Sequence, residues 1–441
     1  MIVTEETKQK RKESRLATKQ LRKGQDCRVI QLKLKESHFN SITTEAIEMQ
    51  FVEAKWLWNY IIGDGLIGKG IAKKPIHHVP VRYPNKETGE YVEVIKDLKH
   101  LSAQSRQAVA EQIQSNIKTL QTTKAKGQRI GKIKCKSEVN SIELKQYGIS
   151  YKFQGNRIKI AGIKQPLKVS GMEQLDLSIM TPANARLIRK PSGYYIYLTA
   201  WIDKAVSNIR PTKKGHKMKM TQSGKSVGLD LGIKTSIVTS DGEAINIRIS
   251  ESDQLKQRQR RYSRLLRLNK RKRSNNANKI NRLIRKEHEH ITNQKKDIAN
   301  KAICYLTSNY DTIVIQNENI KGWHKGLFGK QVQHSALGTL KTALKNAGAV
   351  VVDRYDATTK ECYRCGHKNA IQLGDSLFVC SSCGHEEERD IKAAKTILMK
   401  GGHIPNPTQL METKLVDLNS PILVKCFNVV PMNGTASGTD A

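Results

Sequence analysis

Apolar positions along this chain recur with two different periods, and the alternation between them divides it. Residues 27–35 alternate, with Ile30, Leu32 and Leu34 on one side and Gln31, Lys33 and Lys35 on the other, the pattern of a half-buried strand. Ile47, Phe51, Ala54, Trp58 and Ile61 follow at helical spacing and predict an amphipathic helix; Val109, Ile113, Ile117 and Leu120 predict a second. Alternation returns at Ile149, Tyr151 and Phe153, then a Gly155-Asn156 turn and a return strand at 157–160. Further strands fit 175–179 and 194–201. A strand, a helical insertion and more strands describe a small barrel interrupted by a helical lobe.

The second half has another rhythm. Residues 203–225 are polar and Lys-rich without a period, which reads as a linker. Residues 227–233 and 236–239 with a Ser240-Asp241-Gly242 turn read as strand and turn, and 255–301 as a long charged helix broken near 274–278. The apolar runs 312–315 and 349–352 suit buried strands. Between them Ser335 is placed to N-cap a helix through Leu337, Leu340 and Leu344, stopped by Gly348. A last helix starts near Asp390 and carries Ala394, Ile397 and Leu398. Strands alternating with helices imply an α/β core with a mixed sheet.

Charge narrows the function. In 441 residues, 77 Lys+Arg stand against 40 Asp+Glu, a formal net charge of +37. Self-repulsion on that scale calls for a polyanion, and nucleic acid is the usual one. There is no amphipathic anchor and no apolar run of ~18 residues, so a membrane role is not expected. The basic residues 1–26 read as a solvated tail that leads into 27–34 without a signal peptide's apolar core. A reducing, cytoplasmic setting follows, in which cysteines seldom pair.

Cys27, Cys135, Cys304 and Cys426 are scattered and read as incidental thiols. The other four form Cys362-x2-Cys365-x14-Cys380-x2-Cys383. Each CxxC turn can offer two thiolates to one tetrahedral Zn2+, with the intervening residues folding as a hairpin that joins the pairs. Four thiolates close the shell, so this zinc is structural. Gly366 and Gly384 follow each pair, where a tight knuckle favours residues tolerant of positive φ.

Residues 255–286 contain no acid, yet hold Arg258, Arg260, Arg261, Arg264, Arg267, Arg271 and Arg273 among other cations. Like charges one turn apart repel, so this helical stretch is expected to grip phosphates. Two acids complete the candidate chemistry. Asp230 interrupts an apolar strand, where a carboxylate must be paired or bind a metal. Asp390 opens the last helix, where simple N-terminal capping would also account for it. Acids from distant elements converging on one sheet edge would hold two Mg2+ ions ~4 Å apart for phosphodiester hydrolysis.

Five segments together resemble the TnpB family of transposon-encoded nucleases: VGLDLGIK at 227–234, YDTIVIQNENIKGW at 310–323, CYRCG at 362–366, CSSCG at 380–384 and RDIKAAKTIL at 389–398. The match spans roughly 225–400 in fixed order; 132–136 and Leu57-Trp58-Asn59 are similar more loosely. The resemblance implies an RNase H-like (RuvC) nuclease core at 225–400 with a zinc ribbon at 360–386. Residues 27–37 and 130–202 would then be a wedge β-barrel, 38–129 an inserted helical recognition lobe, 203–224 a linker and 401–441 a C-terminal tail. It also implies a guide RNA, a double-stranded DNA target, a prokaryotic, nucleoid-associated location, and no required protein partner. Asp230 and Asp390 match the family's first and third catalytic acids. The second falls on Gln316, which is uncharged. Either Glu318, two residues on and thus on the same face of a strand, supplies the carboxylate, or the chain binds guided DNA without cutting it. Lys392 stands where the family often has an Asn near the metal, a change that would alter metal preference. A DNA-strand transferase would use related acids, but it should need an end-binding domain that the sequence does not show.

Overall fold

The computed structural model describes residues 5–64, 66, 76–84, 90–207, 209–211, 217–219, 224–247, 249–268, 274–372, 374–408 and 410–418. Arg271 and Arg273 lie outside these, as do Cys426, most of the expected linker and the tail beyond 418. Two compact units divide near residue 208.

In the first unit, seven strands form an antiparallel sheet in the order 141–144, 180–190, 193–203, 25–34, 167–170, 157–160, 151–154. The first strand in sequence thus lies between two that follow it by more than a hundred residues, and the helices are inserted between them. Ser41–Gly63 is capped by Asn40, whose Oδ1 accepts from Thr43 N at 2.7 Å; Ala103–Ala125 is capped by Ser102. Ile47, Phe51, Trp58 and Ile61 are buried against Leu32, Leu34 and Ile142 of the sheet. Two stretches that the sequence matches only loosely to the family meet here. Asn59 exchanges hydrogen bonds with the backbone of Lys136, and Trp58 Nε1 donates to the Lys134 carbonyl.

Several expectations change. Residues 175–179 are not a strand: Met172–Gln174 is a 3-10 turn, and the Asp176 carboxylate accepts from Ser178 N and Oγ, closing a second turn before the strand Met180–Lys190. The inserted segment also contains an antiparallel hairpin, His78–Pro84 with Tyr91–Asp97. The basic N-terminal tail is largely an exposed helix, Glu5–Lys23, with acids in its first turn, bases in its last and a Lys10–Glu6 pair at 2.6 Å.

The second unit is built on a six-stranded mixed sheet in the order 350–352, 312–316, 226–230, 237–239, 243–245, 414–415. The three strands that position the candidate site, Ser226–Asp230, Thr312–Gln316 and Val350–Val352, are mutually parallel. One face packs Val227, Leu229, Ile313 and Ile315 against the helices Asn275–Asn309 and Leu337–Asn346. The other receives the helix Arg389–Lys400, which closes on the sheet at Gly228. A Cβ there would meet the Ala394 carbonyl at 2.0 Å, so only glycine lets the helix come this near. Val350–Val352 is an edge strand and not a buried one, with Val350 and Val351 both exposed. Ser335 does not cap the next helix either. It ends the preceding one, its hydroxyl donating to the Val332 carbonyl, and left-handed Ala336 takes the cap position.

Candidate active site and metal centre

Leu229 pairs with Ile315, so the parallel register carries Asp230 and Gln316 to neighbouring positions at the carboxyl ends of their strands. In parallel sheets that edge is where ligands bind. Asp390 reaches it from the first turn of Arg389–Lys400, and Glu318 from the loop after Thr312–Gln316. All three side chains are half-buried. Burial, then the charges of Asp390 and Glu318, push the Asp230 carboxyl up to about 7. Each of these acids therefore lies within the electrostatic field at Asp230. Burial also raises Glu318, against the opposing charge of Lys341. Asp390 accepts from its neighbour Arg389 at 3.1 Å.

A fourth carboxyl escaped the sequence reading. Glu388 precedes Arg389–Lys400; burial and the Asp390 charge raise it, and its buried Oε2 has no hydrogen-bond partner. No spacing rule would single it out, because it sits in a Glu-Glu-Glu run whose members differ only in burial. Clustered carboxylates with an orphaned oxygen are hard-oxygen donors suited to a divalent cation such as Mg2+. Among the described residues, however, only the four ribbon cysteines have ligand atoms all within 4.8 Å of one another.

This field has a measurable consequence in cation-free protein. A carboxyl that titrates near 4 when unfolded and at about 7 when folded keeps its proton longer in the folded state. Stability should then fall as pH rises from about 4 to 7 and level off above. Added Mg2+ should stabilise more at pH 8 than at pH 5. Thermal melts across pH, with and without Mg2+, check this; identical Mg2+ shifts at both pH values would remove Asp230 from the cation's contacts.

The two departures from the family pattern are both occupied structurally. Gln316 is buried; its Nε2 donates to the Asp353 and Asp356 carbonyls at 3.0 and 2.9 Å, and its Oε1 accepts from Thr358 Oγ1 at 2.8 Å. Lys392, expected beside the metal, is fully buried, and its Nζ donates to the carbonyls of Thr358, Thr359 and Glu361. The ammonium also lies 4.1 Å from the Phe378 ring centroid. Burial lowers its pKa to about 8.

The ribbon brings its cysteines together. Cys362 and Cys383 Sγ lie 3.8 Å apart, Cys365 and Cys380 3.5 Å. Tetrahedral zinc with ~2.3 Å Zn–S bonds needs edges of about 3.8 Å, so the donor set fits. The knuckles repeat one hydrogen-bond scheme: Cys362 N to His367 O and Gly366 N to Cys362 O, then Cys380 N to His385 O and Gly384 N to Cys380 O. Gly366 and Gly384 have φ of 73° and 66°. One expectation needs correcting. The hairpin Leu377–Val379 with Glu386–Glu388 encloses the second knuckle, while an isolated Glu361–Lys368 bridge closes the first. Beneath it, buried Glu387 joins His385 and Lys395, a network the sequence did not suggest. Purified protein should carry about one zinc per chain, and Cys365→Ser should release it and loosen 362–383. Well-folded protein without zinc on elemental analysis would count against the site.

The basic stretch folds as two helices, Asp253–Leu268 and Asn275–Asn309, the second capped by Ser274 and packed on the first through Leu255, Ile280 and Ile284. Arg260, Arg261, Arg264 and Arg267 are exposed. Arg258 is not available in the same way, since its guanidinium pairs with Glu287 at 2.9 Å.

Two family models match this part of the chain: one described as a probable transposase (OrfB of IS605) over 210–325, and the TNB domain of Cas12f1-like proteins over 338–397. Over these residues the chain resembles the TnpB family. Curated relatives match the chain as well. A Streptomyces pristinaespiralis protein provisionally named an RNA-guided DNA endonuclease is 30% identical over 187 residues, 40% of this chain and 45% of that one. InsQ of Escherichia coli (strain K12), likewise provisionally named, is 28% identical over 204 residues, 41% and 50% respectively. The TnpB-like protein L79 of Acanthamoeba polyphaga mimivirus is 32% identical over 151 residues, 29% and 27%. The chain thus spans half or less of the length of these curated relatives. No helix among the described residues is long and apolar enough to cross a membrane.

Proposed function

We propose that this TnpB-type chain is an RNA-guided DNA endonuclease whose RuvC-like core hydrolyses phosphodiester bonds with Asp230, Glu318 and Asp390. The observation that carries the reading is the raised Asp230 carboxyl, lifted by burial and by the charges of Asp390 and Glu318. Three carboxylates drawn from a strand end, a loop and a helix start would otherwise repel, and divalent cations relieve that repulsion. Bound there, two Mg2+ ions would activate a water and neutralise the leaving oxygen. The residues supply position: Asp230 is fixed by the sheet, Asp390 by the helix start, and Glu318 by Lys341, whose Nζ donates to the Glu318 carbonyl and to Asn317 Oδ1.

The guide RNA would read sequence by base pairing, which frees the protein to bind backbones. Residues 27–37 and 130–202 would form the wedge barrel, and 38–129 the recognition lobe. The exposed arginines of the Asp253–Leu268 helix would contact phosphates. Converting Arg260, Arg261, Arg264 and Arg267 to Gln should weaken binding to all sequences and flatten log K against log salt by ~0.7–0.9 for each phosphate no longer neutralised. An unchanged slope would mean that these side chains merely face solvent.

A second reading, guided binding without cutting, draws on Gln316, which offers no charge to a cation. The deciding experiment purifies the protein with its RNA, sequences that RNA, and adds Mg2+ and a matched duplex. Cutting supports the nuclease; tight, RNA-dependent binding without cutting supports the second reading.

A further inference from the structure

The segment 353–361 leaves the edge strand Val350–Val352 and runs into the first ribbon cysteine, Cys362. It is gripped from two sides. From the sheet, the Gln316 amide uses both Nε2 hydrogens on the Asp353 and Asp356 carbonyls and takes the Thr358 hydroxyl on its oxygen. Two carbonyls facing one end of the amide fix which end carries the nitrogen. From the helix, Lys392 places its three N–H donors on the carbonyls of Thr358, Thr359 and Glu361. Thr358, 3% exposed, is the residue held by both. Gln316 stands two residues before Glu318, and Lys392 two residues after Asp390.

We propose that Gln316 and Lys392 are a pair of positioning residues which, through Thr358, set the spacing between Glu318 and Asp390. Both side chains serve the segment: the Gln316 amide turns its oxygen to Thr358 Oγ1 and its nitrogen to two carbonyls, and the Lys392 ammonium is itself a cation with three carbonyls around it. Elsewhere the helix meets the sheet farther from Asp390, where Val314 and Val352 pack on Ile397 and Leu398 and Ala394 closes on Gly228. Outer residues that orient metal ligands typically contribute 10–100-fold to affinity. The proposal rests on the nuclease site described above.

The test uses full-length protein and Mn2+ as a spectroscopic probe, so that affinity is read without cleavage. Thr358→Val keeps the shape and removes the hydroxyl that Gln316 accepts; Thr358→Ser restores it. Thr358→Val should retain its zinc and weaken Mn2+ binding about tenfold, with a matching rise in the Mg2+ needed for half-maximal cutting. Thr358→Ser should behave as the unmodified protein. Lys392→Met, which keeps the aliphatic stem over Phe378, should weaken Mn2+ binding independently. In a double-mutant cycle, Gln316→Leu should weaken Mn2+ binding further than Thr358→Val alone, because it also frees the Asp353 and Asp356 carbonyls, but by less than the sum of the two single effects, because both remove the Thr358 hydrogen bond. Reduced melting temperature with unchanged Mn2+ affinity would make the clasp a stabilising feature only and overturn the proposal. If Asp230→Ala also leaves Mn2+ affinity unchanged, the metal site fails and the proposal with it. If only Asp230→Ala matters, the site stands and the clasp falls.

Discussion

Glu318→Gln is expected to abolish Mg2+-dependent cutting, by at least ~10^3-fold, while RNA-guided binding survives. The substitution preserves the side chain's shape and removes only its charge. That charge is one of two that lift the Asp230 carboxyl, so its loss should also return Asp230 toward the ordinary carboxylate range. Asp230→Ala and Asp390→Ala should match it, because ligands that serve one cation pair fail as a unit. Cleavage of a matched duplex, beside a binding assay on the same preparation, reads both effects. Full cutting by Glu318→Gln would exclude Glu318 as the second acid.

Gln316→Glu should be the most damaging single change at the sheet edge, although it restores the family's acid. The new carboxylate would face the Asp353 and Asp356 carbonyls where the amide now donates two hydrogen bonds. Ionised, it is a buried charge against two oxygens; protonated, it has one hydrogen for two acceptors. A cost of about 3 kcal/mol follows, enough to lower the melting temperature by roughly 10 °C. Cutting should fall as 353–361 loosens. Denaturation and cleavage assays check this together. A stable Gln316→Glu protein that cuts, beside an unmodified one that does not, would favour the binding-only reading instead.

Much was legible in the sequence because it depends on local periodicity or fixed spacing. The alternation of Ile30, Leu32 and Leu34 and the spacing of Ile47, Phe51 and Trp58 are set by which face of one element meets the core, and both faces are buried as read. The cysteine spacing set the thiolate group, since two knuckles need only four residues each to aim their sulfurs. The break expected at 274–278 is displaced, because Ser274 caps a helix that already includes 275–278. The roles of the polar residues were not legible. Lys392 and Lys395 look like the solvated stripe of an amphipathic helix, yet both are fully buried, because the ribbon and the segment 353–361 cover that face and supply carbonyls and Glu387 to their ammonium groups. Gln316 reads as a lost acid until Asp353, Asp356 and Thr358, some forty residues away, are seen to use its amide. Ser335 failed as a cap, and 175–179 as a strand, for a similar reason: a neighbouring turn offered the same groups other hydrogen-bond partners. Apolar periodicity is decided within one element. The partner of a buried polar atom comes from wherever the chain returns, so only the tertiary structure could name it.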